Sequence, residues 1–137
     1  MRHLVGHKIV DFKVTKMGNA PGVDVTQDKA SITLSFADGS FGTILYLANG
    51  GSKFPKERIE VFCNNSVLQM DNYRVLKGFS WPGFKNMRLY KQDKGQNACA
   101  KAFLDSIRYG SPSPIPFNEL LEASRVSIEV ANNLRKS

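Results

Sequence analysis

Between residues 30 and 48 the side chains alternate with a period of two. Ile32, Leu34 and Phe36 fall on one side of an extended chain and Ser31, Thr33 and Ser35 on the other, as a half-buried strand requires. Asp38-Gly39 supplies the residue pair that most readily takes the positive φ angles of a two-residue hairpin, and a second β-forming run follows at 41–47. The two strands are expected to pair antiparallel and seed a sheet. Phe41, Leu45 and Leu47 oppose Ile44 and Tyr46 across the second strand, which predicts an inner strand covered on both faces.

The rest of the chain supplies further strands and then helices. Residues 7–17 alternate as Ile9, Asp11, Lys13 and Thr15 against Val10, Phe12 and Val14, a first strand. Leu4-Val5-Gly6 before it reads as the last turn of a glycine-capped helix, which suggests a segment of something longer. Residues 18–28, with Gly18, Pro21, Gly22 and no periodicity, are expected to form a flexible loop. After the connection 49–56, strands are predicted at 58–63, 67–70, 73–79 and 87–91, with Asn64-Asn65 as a turn. Trp81, in the loop 80–84, is expected to cover the edge of a core, with ligand stacking as the alternative.

Asp93 and Gln96 have the spacing of a capping box, so a helix is predicted over 94–109, about 24 Å long. Its stripe of Cys99, Phe103 and Ile107 is expected to pack on the sheet, and Gly110 to end it. A proline-stiffened segment, 111–116, leads to a second helix over 118–135. There Leu120, Ala123, Ser127, Val130 and Leu134 form one line and Leu121, Ile128 and Ala131 the adjoining one.

Strands followed by helices define the α+β class: one largely antiparallel open sheet with two C-terminal helices packed on one face, in a single domain over 1–137. The other sheet face, if apolar, would mark an interface, and a homodimer through it is expected. An apolar content of 42% and a charged content of 23% fit a globular protein, and no apolar run reaches the roughly 18 residues of a membrane span. No secretory signal is read at the start, so a cytoplasmic location without membrane association is expected. Cys63 and Cys99 read as buried free thiols, and His3 and His7 as exposed side chains rather than metal ligands.

The formal charge of +7 raises nucleic acid as a partner. The densest basic segment, 74–94, carries Arg74, Lys77, Lys85, Arg88, Lys91 and Lys94 and is read as a solvated face. Neither a G-x-G-x-x-G turn nor a P-loop is present, and there is no G-x-S-x-G elbow. No catalytic, cofactor-binding or metal-binding residue is assigned.

Three stretches, 31–44 (SITLSFADGSFGTI), 57–62 (ERIEVF) and 102–112 (AFLDSIRYGSP), taken in this order and spacing, resemble the C-terminal domain of the glucose-fructose oxidoreductase, inositol dehydrogenase and rhizopine-catabolism family. Lys94-Gly95-Gln96 and residues 114–120 (PIPFNEL) look most like the branch fused to a zinc-type alcohol dehydrogenase-like half. The resemblance implies the open sheet seen in the C-terminal domain of glyceraldehyde-3-phosphate dehydrogenase-like enzymes. It also implies a parent protein whose Rossmann domain holds NAD or NADP and supplies the catalytic groups. This chain, inactive alone, would then enclose a sugar, sugar nucleotide or polyol and support oligomerisation. Tyr46, Lys53, Phe54 and Lys56 would approach that substrate, and Cys63-Asn64-Asn65-Ser66 departs from the glycine-bearing turn common in the family.

Two other readings stand beside it. One is a stand-alone, non-catalytic domain that dimerises through its sheet. The other, a basic sheet that binds RNA, is set aside because no strand shows the paired aromatics of an RNA-recognition surface, so no nucleic-acid partner is expected.

Overall fold

The computed structural model describes residues 1–18, 22 and 28–136. The chain divides into two compact units, Met1–Gly50 with Pro112–Ser137, and Gly51–Ser111. The expected α+β class holds: antiparallel open sheets followed by two C-terminal helices. The strands are shared between a three-stranded and a four-stranded sheet. Residues 19–21 and 23–27, most of the loop expected at 18–28, lie outside the described residues.

In the first unit a short helix α1 (Arg2–Val5) ends at Gly6, whose left-handed φ of 77° lets its N–H reach Arg2 O at 3.0 Å. This is the glycine-capped last turn read from the sequence. Strands β1 (Ile9–Lys16), β2 (Lys29–Phe36) and β3 (Phe41–Leu47) follow, with β2 in the middle. A bulge between Ile9 and Asp11 shifts the register of β1. It reverses the expected parity there: Ile9 packs against the core with Phe12 and Val14, while Val10 turns outward.

The turn after β2 also differs from expectation. Phe36 N donates to Ser40 O at 2.9 Å and Gly39 N to Phe36 O at 3.0 Å, so the loop has three residues, Ala37, Asp38 and Gly39. Only Gly39 has a positive φ, 84°. Asp38 is not left-handed, and its carboxylate accepts from Ser40 N and Ser40 Oγ at 3.1 and 2.7 Å, which ties it to the far side of the turn.

The core lies beneath helix α3 (Phe117–Lys136), where Leu34 and Phe36 meet Val126 and Val130. Phe36 is 2% exposed, and burying each such side chain contributes about 1.5–3 kcal/mol. The inward line of α3 therefore runs through Val126, Val130 and Leu134, while Leu121 and Ile128 face outward. β3 is an edge strand, with Phe41, Leu45 and Leu47 exposed, and not the covered inner strand its composition suggested. Among the described residues β3 pairs with β2 alone.

The second unit is a meander of β4 (Arg58–Cys63), β5 (Ser66–Asp71), β6 (Val75–Phe79) and β7 (Asn86–Arg88). Asn64 and Asn65, with φ of 46° and 58°, make the tight turn between β4 and β5. Asn72 and Tyr73, both at φ 50°, turn the chain after β5, and Arg74 N closes onto Asp71 O at 3.0 Å. Tyr73 thus belongs to a turn rather than to the strand predicted from residue 73. Ser66 Oγ donates to Ser80 O at 2.7 Å and ties the start of β5 to the end of β6.

Helix α2 (Gln96–Tyr109) begins later than its expected capping box. Asp93 Oδ1 accepts from Gly95 N at 2.8 Å, and Gly95 turns left-handed at φ 77°, so the aspartate is spent on the preceding turn. None of the described residues of α2 is buried: Phe103 is 57% and Ile107 65% exposed. The stripe expected to pack on the sheet is uncovered.

Gly78 carries a steric constraint. A Cβ there would lie 2.8 Å from Phe84 O and 2.9 Å from Trp81 Cβ, because the loop after β6 folds back over it. Gly78→Ala is expected to destabilise this unit by about 1–3 kcal/mol. Urea unfolding followed by the fluorescence of Trp81, the one tryptophan, measures it.

Candidate functional site

The residues assigned to a substrate by resemblance are distributed over both units. Tyr46 lies near the end of β3, paired with Ala30 of β2, and is exposed. Lys53, Phe54 and Lys56 lie in the second unit, on the connection that precedes β4, and all three are exposed. A turn closed by Phe54 N donating to Gly51 O at 2.9 Å shapes that connection.

Its far end is anchored. Glu57 O accepts from Asn72 N at 2.7 Å, and the Glu57 carboxylate pairs with Lys94. Lys94 Nζ also lies 5.8 Å from the centre of the Tyr73 ring. Gln92 Nε2 donates to Asn72 Oδ1 at 2.8 Å and completes a polar knot at this end of the sheet.

The four-stranded sheet gathers a second set of side chains on one face. Cross-strand register aligns Phe62, Val67 and Phe79 in one row, and Glu60, Gln69, Lys77 and Asn86 in the next. Arg58, Asp71, Val75 and Arg88 form a third. Phe62 is 74% and Phe79 51% exposed. Glu60 Oε1 accepts from Gln69 Nε2 at 2.8 Å and from Arg58 Nη2 at 2.8 Å. The Gln69 hydrogen bond first, and the Arg58 guanidinium second, hold the Glu60 carboxyl below its ordinary range. An open groove of about 280 Å³ runs beside this face, lined in part by Lys77, Phe79, Lys85 and Arg88. A second open hollow, on the surface of α2, is lined in part by Lys101, Leu104, Asp105, Arg108 and Tyr109.

In the first unit the titrating group with a structural task is Glu122 of α3. Its carboxylate accepts from Ile9 N and from Arg2 Nε, the latter at 3.2 Å, while Arg2 Nη2 lies 3.6 Å from Glu119. Burial alone would raise the Glu122 pKa, but the Ile9 N–H and the Arg2 guanidinium outweigh it and the net direction is down. The hydrophobic periodicity of α3 concealed these two glutamates. Their spacing to Val126 and Val130 places them on the same inward line.

Cys63 and Cys99 are both exposed, against the expectation of buried thiols. Cys63 closes an edge strand and Cys99 sits on the uncovered helix, so neither position has a layer above it. His7 Nε2 lies 4.0 Å from Asp38 Oδ2, and His3 is on α1. Among the described residues no three His, Cys, Asp or Glu side chains gather as a metal site. No helix among them is long and apolar enough to cross a membrane. All strand pairings are antiparallel, so no parallel β-α-β crossover of the kind that cradles a dinucleotide occurs among the described residues.

No family model, curated protein or solved structure matches this chain.

The lowered pKa of Glu122 fixes a sign. A carboxyl whose folded pKa lies below its ordinary 4.5 stabilises the fold above that pH and loses the contribution as pH falls through the folded value. Acid titration of the far-ultraviolet circular dichroism is expected to show this loss. Glu122→Gln should be less stable at neutral pH and should lose less stability on acidification.

Proposed function

We propose that this chain is the substrate-binding and oligomerisation part of a cytoplasmic NAD(P)-dependent oxidoreductase acting on a sugar, sugar nucleotide or polyol. The Rossmann domain of the parent protein supplies NAD or NADP and the catalytic groups, and this chain alone is inactive. Helix α2 carries the reading. It is amphipathic in sequence, yet Phe103, Leu104 and Ile107 are all exposed, an apolar face that a further domain would cover.

In this reading the connection before β4 brings Lys53, Phe54 and Lys56 to the substrate, with Tyr46 contributing from the end of β3. The lysines donate to hydroxyls or pair with a phosphate or carboxylate, and the aromatic rings pack on the apolar face of the sugar. Resemblance in three stretches of sequence supports the assignment. Calorimetric titration of the isolated chain with NAD and NADP should give no binding; tight binding would end this reading. In the full-length enzyme, Lys53→Ala and Lys56→Ala should each raise KM by roughly tenfold at constant kcat, the loss of one charge-assisted hydrogen bond.

A second reading, a non-catalytic domain that dimerises through a sheet, is favoured by β3. Its exposed Phe41, Leu45 and Leu47 share the face that Ser31, Thr33 and Ser35 of β2 make polar. Sedimentation velocity separates the two: a homodimer that Leu45→Asp dissociates, from a reading frame without a nucleotide-binding half, favours this domain.

A further inference from the structure

The basic segment and two exposed phenylalanines meet only once the four-stranded sheet is formed. Phe62 on β4 and Phe79 on β6 flank Val67 in a single row. Two strand spacings set the phenylalanine backbones roughly 10 Å apart, beyond the range at which aromatic rings stack on one another. Each ring therefore has a face available to a planar ring from outside, with Val67 as an apolar floor between them.

The charge beside this row is positive apart from Glu60, which Arg58 neutralises. Lys77, Lys85 and Arg88 line the groove along β6 and β7, and none forms an ion pair with a carboxylate among the described residues. Glu60, the acid nearest the row, is held by Arg58 and Gln69. Asp71 lies in the third row, where Arg58 and Arg88 outnumber it. This face offers mainly donors and cations beside aromatic rings, which complements a ligand with both planar rings and repeated negative charge.

We propose that this sheet face binds single-stranded nucleic acid, with Phe62 and Phe79 stacking on bases and Lys77, Lys85 and Arg88 following the phosphates. Asn86, in the row beside the phenylalanines, presents a donor and an acceptor to base edges. The groove of about 280 Å³ along β6 and β7 gives the backbone its path. This inference does not rest on the oxidoreductase reading.

Fluorescence anisotropy of the whole chain with a short labelled oligouridylate tests it. Binding is expected at about 50 mM salt, with log K falling by roughly 0.7 per phosphate contact for each unit of log salt, a slope near −2 for three cations. Phe62→Ala and Phe79→Ala should each weaken binding by about fivefold or more. Both side chains are exposed, so the variants should fold, which circular dichroism checks. Lys77→Ala with Arg88→Ala should flatten the salt slope by roughly 1.4. No binding at low salt overturns the proposal, as does binding that both phenylalanine variants leave unchanged, the mark of charge adsorption alone. Dextran sulfate binding that matches oligouridylate binding and is lost equally in these variants also overturns it, because the face would then recognise anionic polymers without reading bases.

Discussion

The first unit depends on the seating of α3 across the three-stranded sheet. Leu34 and Phe36 on the middle strand supply the apolar surface, and Val126 and Val130 cover it. Non-directional burial does not fix the rotation of the helix, so the position of α3 also needs a polar latch. Glu122 provides it by accepting the Ile9 N–H, a backbone donor next to the β1 bulge, and by pairing with Arg2. The start of β1, the short helix α1 and the long helix are thereby joined through one carboxylate. A partly buried charge of this kind is tolerable because both oxygens are satisfied.

The second unit has no comparable core. Among its described residues only Ser66 is buried, and that side chain is polar. What holds the meander is local: tight turns at Asn64-Asn65 and Asn72-Tyr73, the close approach of the Trp81 loop to Gly78, and the knot of Glu57, Asn72, Gln92 and Lys94. Such a unit leaves sheet surface and a helix available for partners. Exposure of this extent in a four-stranded sheet calls for a functional account, whether that is another protein surface or a small ligand.

Much of the local structure was legible. The alternation at 31–36 and 41–47 located β2 and β3, and the apolar and β-branched run at 58–63 gave β4 with both its ends. Gly6 and Gly110 marked helix ends because a left-handed cap suits glycine. The failures were of two kinds. The carboxylates of Asp38 and Asp93 each accept from a residue two positions on, Ser40 and Gly95, which changed a turn or a cap, a competition that residue type alone does not resolve. The bulge at the start of β1 reversed which of Ile9 and Val10 faces inward, since one extra residue breaks the period on which the reading depends.

The candidate site was less legible than the fold. Tyr46, Lys53, Phe54 and Lys56 were reached through resemblance, and their positions follow from a strand end and a connection whose ranges the sequence already marked. The row of Phe62, Val67 and Phe79 was invisible, because those residues are separated by 4 and 11 intervening positions and only hairpin register brings them together. Periodicity, glycine caps and turn residues determined which segments extend and which coil, since these are short-range consequences of backbone sterics. Which strand lies at an edge, which glutamates pair under a helix and which aromatics share a face were decided by tertiary structure alone, because each requires contacts between residues whose separation along the chain carries no local signal.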